Sequence, residues 1–236
     1  MAKPKKGLIQ SRRIGDIIIA LPIAKYFSDR GFDVHWPIDR RYLPTFRDAA
    51  PYVTFLPLEA DAEERYLHEH ARAALRQTGC EDIHVLYSAL AGQDGLIDAG
   101  LASFLSFDRY KYAVCDVPFR EKWNLSIVRD RGREQALYDR LVRKPRYVVC
   151  HFESRDFRFR SEMQAPPDLQ VIHIHEASDS VFDWITILER AEMLMMIDSC
   201  FANLIEQLNI PVRKLFIRRS PVAFSPVLLN DWDFLR

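Results

Sequence analysis

Along the first half of the chain, short apolar runs alternate with longer stretches whose apolar residues recur at helical spacing. Residues 7–11 (Gly-Leu-Ile-Gln-Ser) read as a buried strand. After Arg12 to Asp16 the pattern over 17–30 is helical and stops at Gly31, a natural C-cap. Residues 32–38 alternate as a second strand, a helical turn follows at 42–50, and 53–58 form a third strand. A helix over 61–77 with Asp61 as its N-cap, a strand at 83–87 and a helix near 96–107 complete this half.

Between 108 and 144 the rhythm breaks into a Tyr-Lys-Tyr cluster, Val117-Pro118-Phe119, Lys122-Trp123 and a charged helix over 130–143. This reads as a connector whose helix ends at Lys144-Pro145. Alternation then resumes with strands at 147–152, 169–175, 193–197 and 212–217 and helices at 181–190 and 199–208. No helix of normal length fits between the first two of these strands, so the second half reads as a trimmed unit. Strands alternating with helices imply parallel pairing through right-handed crossovers. The expectation is an α/β protein with an N-terminal α/β domain plus connector over 1–144 and a smaller, trimmed C-terminal α/β domain over 145–236.

Composition narrows the class. The 236 residues are 48% hydrophobic and 28% charged, typical of a globular protein. The longest apolar run, 17–24, falls far short of the roughly 18 residues of a membrane span. The basic start, Met-Ala-Lys-Pro-Lys-Lys, lacks the apolar stretch of a signal peptide, which leads us to expect a cytoplasmic protein with room for peripheral membrane association. Lys and Arg total 33, as do Asp and Glu, so non-specific nucleic-acid binding is disfavoured as the main role. Cys80, Cys115, Cys150 and Cys200 show no zinc spacing, and the last three sit beside apolar residues as buried thiols would. His173 and His175 share one strand face without an evident third ligand, so no metal site is expected.

Candidate chemistry collects where strands end, because ligands of open parallel sheets gather there, at the N-termini of the following helices. The first such end is Arg13-Ile14-Gly15-Asp16, where Gly15 permits a tight turn and Asp16 either caps the helix or faces a crevice. The second runs from His151 to Arg160, where Ser154, Arg155 and Arg158 either present guanidinium groups to a diphosphate or pair with local carboxylates such as Asp156. The third is Asp198-Ser199-Cys200 leading to Asn203, a helix mouth suited to an anion or explained by capping alone.

Two of these segments together resemble the family-9 glycosyltransferases, which include the ADP-heptose:lipopolysaccharide heptosyltransferases. Residues 13–22, Arg-Ile-Gly-Asp-Ile-Ile-Ile-Ala-Leu-Pro, are similar to that family's Gly-Asp opening with its following Leu-Pro. Residues 191–204, with Leu208-Asn209-Ile210-Pro211 after them, are similar to its apolar run, Asp-Ser/Thr-Gly-x-x-His-Leu and Leu-Gly-x-Pro. Cys200 stands where the family has Gly, and Asn203 where it has His. The resemblance implies a GT-B architecture, two Rossmann-like domains with parallel sheets facing a central cleft, and an inverting, metal-independent sugar transfer. A nucleotide-diphosphate sugar would be the co-substrate and no cofactor would be needed. Asp16 would be the general base, kept ionised by its helix N-terminus. Arg13 and Gly15 would line the same end, Ser199 with Arg155 or Arg158 would meet the diphosphate, and Glu176 would take the ribose.

The acceptor expected is a lipid-linked glycan or another saccharide. A hydroxymethylated base in DNA is the alternative, with Lys3, Lys5, Lys6, Arg12, Arg13, Arg213, Lys214, Arg218 and Arg219 as phosphate contacts. A non-catalytic nucleotide-sugar binder is the other alternative. A nicotinamide-dependent enzyme is disfavoured because no Gly-x-Gly-x-x-Gly follows any strand.

Overall fold

The computed structural model describes residues 3–59, 67–88, 99–154, 157–160, 166–175, 177–219 and 225–235. The chain divides into two compact units, Met1–Val128 and Arg129–Arg236.

In the first unit the order is β1 (Lys5–Ile9), α1 (Ile14–Asp29), β2 (Asp33–Asp39), α2 (Leu43–Ala49), β3 (Val53–Leu58), α3 (Leu67–Gln77), β4 (Ile83–Val85), α4 (Ala99–Phe104) and α5 (Phe107–Val114). Among the described residues the strands form a parallel four-stranded sheet, β3-β2-β1-β4. The chain therefore steps outward from β1 through β2 to β3, then returns to the other side of β1 for β4. Gly7 in β1 serves packing: a Cβ there would lie 2.9 Å from Leu75 Cδ1 of α3 and 3.1 Å from Cys80 Sγ.

The apolar run 17–24 needs burial on every side, and α1 finds it. Besides the sheet, α5 and a 3-10 turn at Phe119–Trp123 pack against it, and the Tyr112 hydroxyl donates to the Ile19 carbonyl at 2.7 Å. Much of what read as connector therefore folds into the first unit. Lys122 on the 3-10 turn is fixed to Asp108 of α5 at 2.8 Å, both side chains fully buried. The helix expected near 96–107 is interrupted, with Ser106 as the N-cap of α5. The expected cap Asp61 lies outside the described residues.

The second unit contains α6 (Arg131–Leu141), β5 (Arg146–His151), β6 (Glu153–Ser154), β7 (Phe157–Arg158), β8 (Leu169–His173), α7 (Ile185–Glu189), β9 (Met193–Ile197), α8 (Cys200–Gln207), β10 (Arg213–Ile217) and β11 (Trp232–Leu235). Its main sheet is parallel, ordered β11-β10-β9-β5-β8. Where a helical crossover would join β5 to β8, the described residues instead form the antiparallel hairpin β6-β7. The division falls ahead of α6, earlier than the expected 144/145 boundary. Arg129 binds Glu134 of α6 at 2.5 and 2.8 Å and Glu189 of α7 at 2.5 and 2.8 Å. Arg133 binds Asp183 at 2.8 Å, which ties the helix further to the second unit.

Strand β11 went unanticipated. It is held by Glu206 of α8, whose buried carboxylate accepts from the N–H of Leu229 at 2.7 Å and of Asn230 at 3.2 Å, and from Trp232 Nε1 at 2.8 Å. Losing this acceptor removes the partner of three donors at once, the buried Trp232 Nε1 among them. Glu206→Ala is expected to lower unfolding stability by about 3 kcal/mol in urea titrations. A loss of under about 1 kcal/mol would show that β11 is held by its ladder and Trp232 packing alone.

Candidate functional site

Both sheets reverse their strand order next to a polar cluster. In the first the reversal lies between β1 and β4, and in the second between β5 and β9. Open α/β sheets bind ligands at such switch points, beyond the carboxyl ends of the strands.

In the first unit, residues 10–13 connect β1 to α1. Gln10 and Ser11 are fully buried, so their backbone groups need internal partners. Trp36 Nε1 donates to the Gln10 carbonyl at 3.1 Å, and the Asp39 N–H donates to the Ser11 carbonyl at 2.9 Å. The Tyr87 hydroxyl accepts from the N–H groups of Ser11 at 2.8 Å and Arg12 at 3.0 Å. The chain then turns at Arg13, whose φ of 67° lies in the left-handed region. The tight turn expected at Gly15 is thus made by Arg13, and Gly15 sits inside α1. Arg13 is exposed.

Asp16 lies in the first turn of α1. The N-cap position, Arg13, supplies no side-chain cap, and Asp16 Oδ1 is engaged by the Lys111 ammonium at 3.0 Å. Lys111, on α5 and only 2% exposed, also donates to Gln10 Oε1 at 2.6 Å and to the Leu86 carbonyl at 3.0 Å. One side chain thereby spans the two strand ends at the reversal. Nearby, Asp39 is bound by Arg41 at 2.6 Å and lies 3.4 Å from Arg12. Burial would raise the Asp39 carboxyl, but the hydrogen bonds and charge of Arg41, with the charge of Arg12, outweigh it and hold the group below the usual carboxylate range.

In the second unit, His151 at the end of β5 and Ser199 after β9 meet across the reversal, His151 Nδ1 lying 2.8 Å from Ser199 Oγ. Ser199 is the N-cap of α8, yet its hydroxyl makes no cap bond and turns to His151. Burial, reinforced by the charge of Arg219, pushes His151 down to about 4, so the ring is neutral near pH 7. Arg219, beyond β10, is exposed and donates to Ser154 Oγ at 2.9 Å. Ser154, His151, Ser199 and Arg219 therefore share the carboxyl end of this sheet.

The remaining candidates divide. Asp198 is 7% exposed, its N–H on the Ile217 carbonyl. Asn203 turns back on its own helix, Nδ2 donating to the Ser199 carbonyl at 3.0 Å, while its buried Oδ1 has no partner among the described residues. Cys200 is half-buried rather than fully buried, and burial pushes its thiol up to about 11, so it remains protonated at neutral pH; Cys80, Cys115 and Cys150 are buried. Arg158 is paired with Glu153 at 2.7 Å on the exposed hairpin. Arg155 and Glu176 lie outside the described residues. Among the described residues no group of three or more His, Cys, Asp or Glu could hold a metal ion, and no helix is long and apolar enough to cross a membrane.

Sequence reasoning passed over Lys111 in the first unit and, in the second, His151 and the placement of Arg219 near it. Lys111 lies 101 residues from Gln10, and only its position in a Tyr-Lys-Tyr triplet, a charge flanked by aromatics, hinted at burial.

No family model matches the chain, and no curated protein does. Solved structures do match. A glycosyl transferase family 9 protein from Veillonella parvula DSM 2008 superposes with a TM-score of 0.62 at 11% identity, over 100% of this chain and 88% of that one. The iron-containing dodecameric glycosyltransferase TibC from enterotoxigenic E. coli H10407 gives 0.55 at 12% identity, over 92% of this chain and 58% of that one. The E. coli heptosyltransferase WaaC with ADP-2-deoxy-2-fluoro heptose gives 0.50 at 12%, over 98% and 93%. At such identities the likeness is one of fold: the chain has the α/β, GT-B fold found in these glycosyltransferases.

The His151 environment sets an acid limit. Its folded value near 4 lies below the ordinary 6.5, so between these values the unfolded chain binds the extra proton and stability falls as pH falls, by up to about 3 kcal/mol. His151→Gln is expected to lose less stability than the parent between about pH 7 and about pH 5 in urea titrations. Equal losses would place the acid sensitivity elsewhere.

Proposed function

We propose that this chain is a glycosyltransferase that moves a sugar from a nucleotide-diphosphate donor to a hydroxyl of a saccharide or lipid-linked acceptor, with inversion and without a metal. The observation that carries the reading is the coincidence of both family-like motifs with the two strand-order reversals. Two solved structures of this fold hold ADP-heptose ligands, WaaC with ADP-2-deoxy-2-fluoro heptose and TibC with ADP-D-beta-D-heptose.

In this reading Asp16 is the general base. As the acceptor oxygen attacks the anomeric carbon, its O–H bond breaks and the proton passes to the Asp16 carboxylate. The new C–O bond forms while the bond to the diphosphate breaks, and the electron pair leaves with the nucleoside diphosphate. The leaving charge needs donors fixed in place. The first-turn N–H groups of α8, the Ser199 hydroxyl and the exposed guanidinium of Arg219 are the groups of the second unit suited to it. Arg155, Arg158 and Glu176 remain candidates of the same reading, Arg158 having first to leave Glu153.

A thermal-shift screen against nucleotide sugars should identify the donor, since a ligand at 100 times its Kd stabilises by about 2.7 kcal/mol. With that donor, Asp16→Asn is expected to lower transfer about 10³-fold while donor Kd changes little, and EDTA should leave the parent rate unchanged. Donor binding without turnover by the parent would favour a non-catalytic binder. Absence of any nucleotide-sugar binding would overturn the reading.

A further inference from the structure

We propose that Lys111 is the positioning residue of the transfer site, holding the Asp16 carboxylate in the orientation that turnover requires; this rests on the glycosyltransferase reading above. An ammonium has three N–H donors. Those of Lys111 have three acceptors in reach: Gln10 Oε1 at 2.6 Å, the Leu86 carbonyl at 3.0 Å and Asp16 Oδ1 at 3.0 Å. None is left over for a substrate, and the side chain is buried. Lys111 therefore acts through Asp16 and touches no sugar itself.

The support behind Lys111 is rigid. Its helix α5 is fixed at the neighbouring residues, by the buried Asp108–Lys122 pair at 2.8 Å and by the Tyr112 hydroxyl on the Ile19 carbonyl of α1 at 2.7 Å. Asp16 and Ile19 lie on the same helix, so α5 grips α1 both at its first turn and one turn further on. Asp16 keeps 17% of its side-chain exposure. The carboxylate is thus held from the inside and open on the outside, as a base that must meet an incoming hydroxyl requires. Gln10 completes the frame, its Nε2 donating to the Arg12 carbonyl at 3.0 Å in the loop that leads into α1.

A lysine that only filled a buried position would, when replaced, reduce the amount of folded protein and leave the kinetics of the folded fraction alone. A positioning residue changes kcat. Lys111→Met, and Lys111→Gln should the methionine variant fail to fold, are expected to lower kcat per folded molecule about 10²-fold with donor KM held within about twofold. Lys111→Arg, which keeps the charge and the donors, should recover part of that loss. A folded Met or Gln variant with the parent kcat, or one whose loss lies in donor KM, overturns the positioning role while the parent's turnover leaves the glycosyltransferase reading standing. No turnover by the parent with any nucleotide sugar overturns that reading and the positioning role together.

Discussion

The reversal of strand order within each parallel sheet is the constraint on which the rest of this molecule depends. Where successive crossovers lead to opposite sides of one strand, the connections diverge and leave the carboxyl ends of two neighbouring strands uncovered. Backbone groups there must still find partners. At the β1/β4 reversal they are met by Trp36, Tyr87 and Lys111; at the β5/β9 reversal the pairing of His151 with Ser199 joins the two strand ends. The side chains that complete the fold at these points also touch the candidate site residues, Lys111 meeting Asp16 and His151 meeting Ser199. Architecture and candidate site therefore share these strand ends, and in the proposed reading a substitution at Lys111 would be felt in both.

The two ends solve that problem with opposite electrostatics. In the first unit a buried cation faces a partly exposed carboxylate, and the positive charge is consumed internally. In the second the buried partner is a neutral imidazole, and the cation, Arg219, stays exposed with one donor on Ser154. A partly exposed carboxylate suits proton removal from a hydroxyl, and an exposed guanidinium suits an anionic leaving group. The balanced total of 33 basic and 33 acidic residues conceals this division.

Much of the fold was legible in the residues, because parallel strands buried on both faces leave unbroken apolar runs and their crossover helices leave a 3.6 period. Strand β9 emerged with the expected bounds, and β3 did likewise. What failed to show were features fixed by distant partners. The stretch 108–144 read as connector because the alternation of strands and helices breaks there, whereas Lys111 and Lys122 in its first part are buried by acceptors elsewhere in the chain. Strand β11 is four residues long and depends on Glu206. Asp16 and Ser199 stand at the strand ends where their motifs put them, but Arg13, not Gly15, carries the left-handed turn. A sequence names the residues at a strand end; only the fold says which of their neighbours saturate them.

The departures at α8 bear on how an anion would be met there. Glycine in place of Cys200 would let a phosphate approach the backbone closely, and histidine in place of Asn203 would bring a group able to carry charge. Here Asn203 turns inward to the Ser199 carbonyl, and the Cys200 thiol stays protonated. Neither residue contributes positive charge. The histidine present at this strand end, His151, comes from β5 instead of α8 and is held neutral. In the proposed reading, charge compensation in the second unit would fall to Arg219 and the helix N-terminus, with the hydroxyl of Ser199 as a directional contact. That arrangement trades a charge on the helix for one beyond the neighbouring strand β10, where the side chain is exposed and its reach is longer.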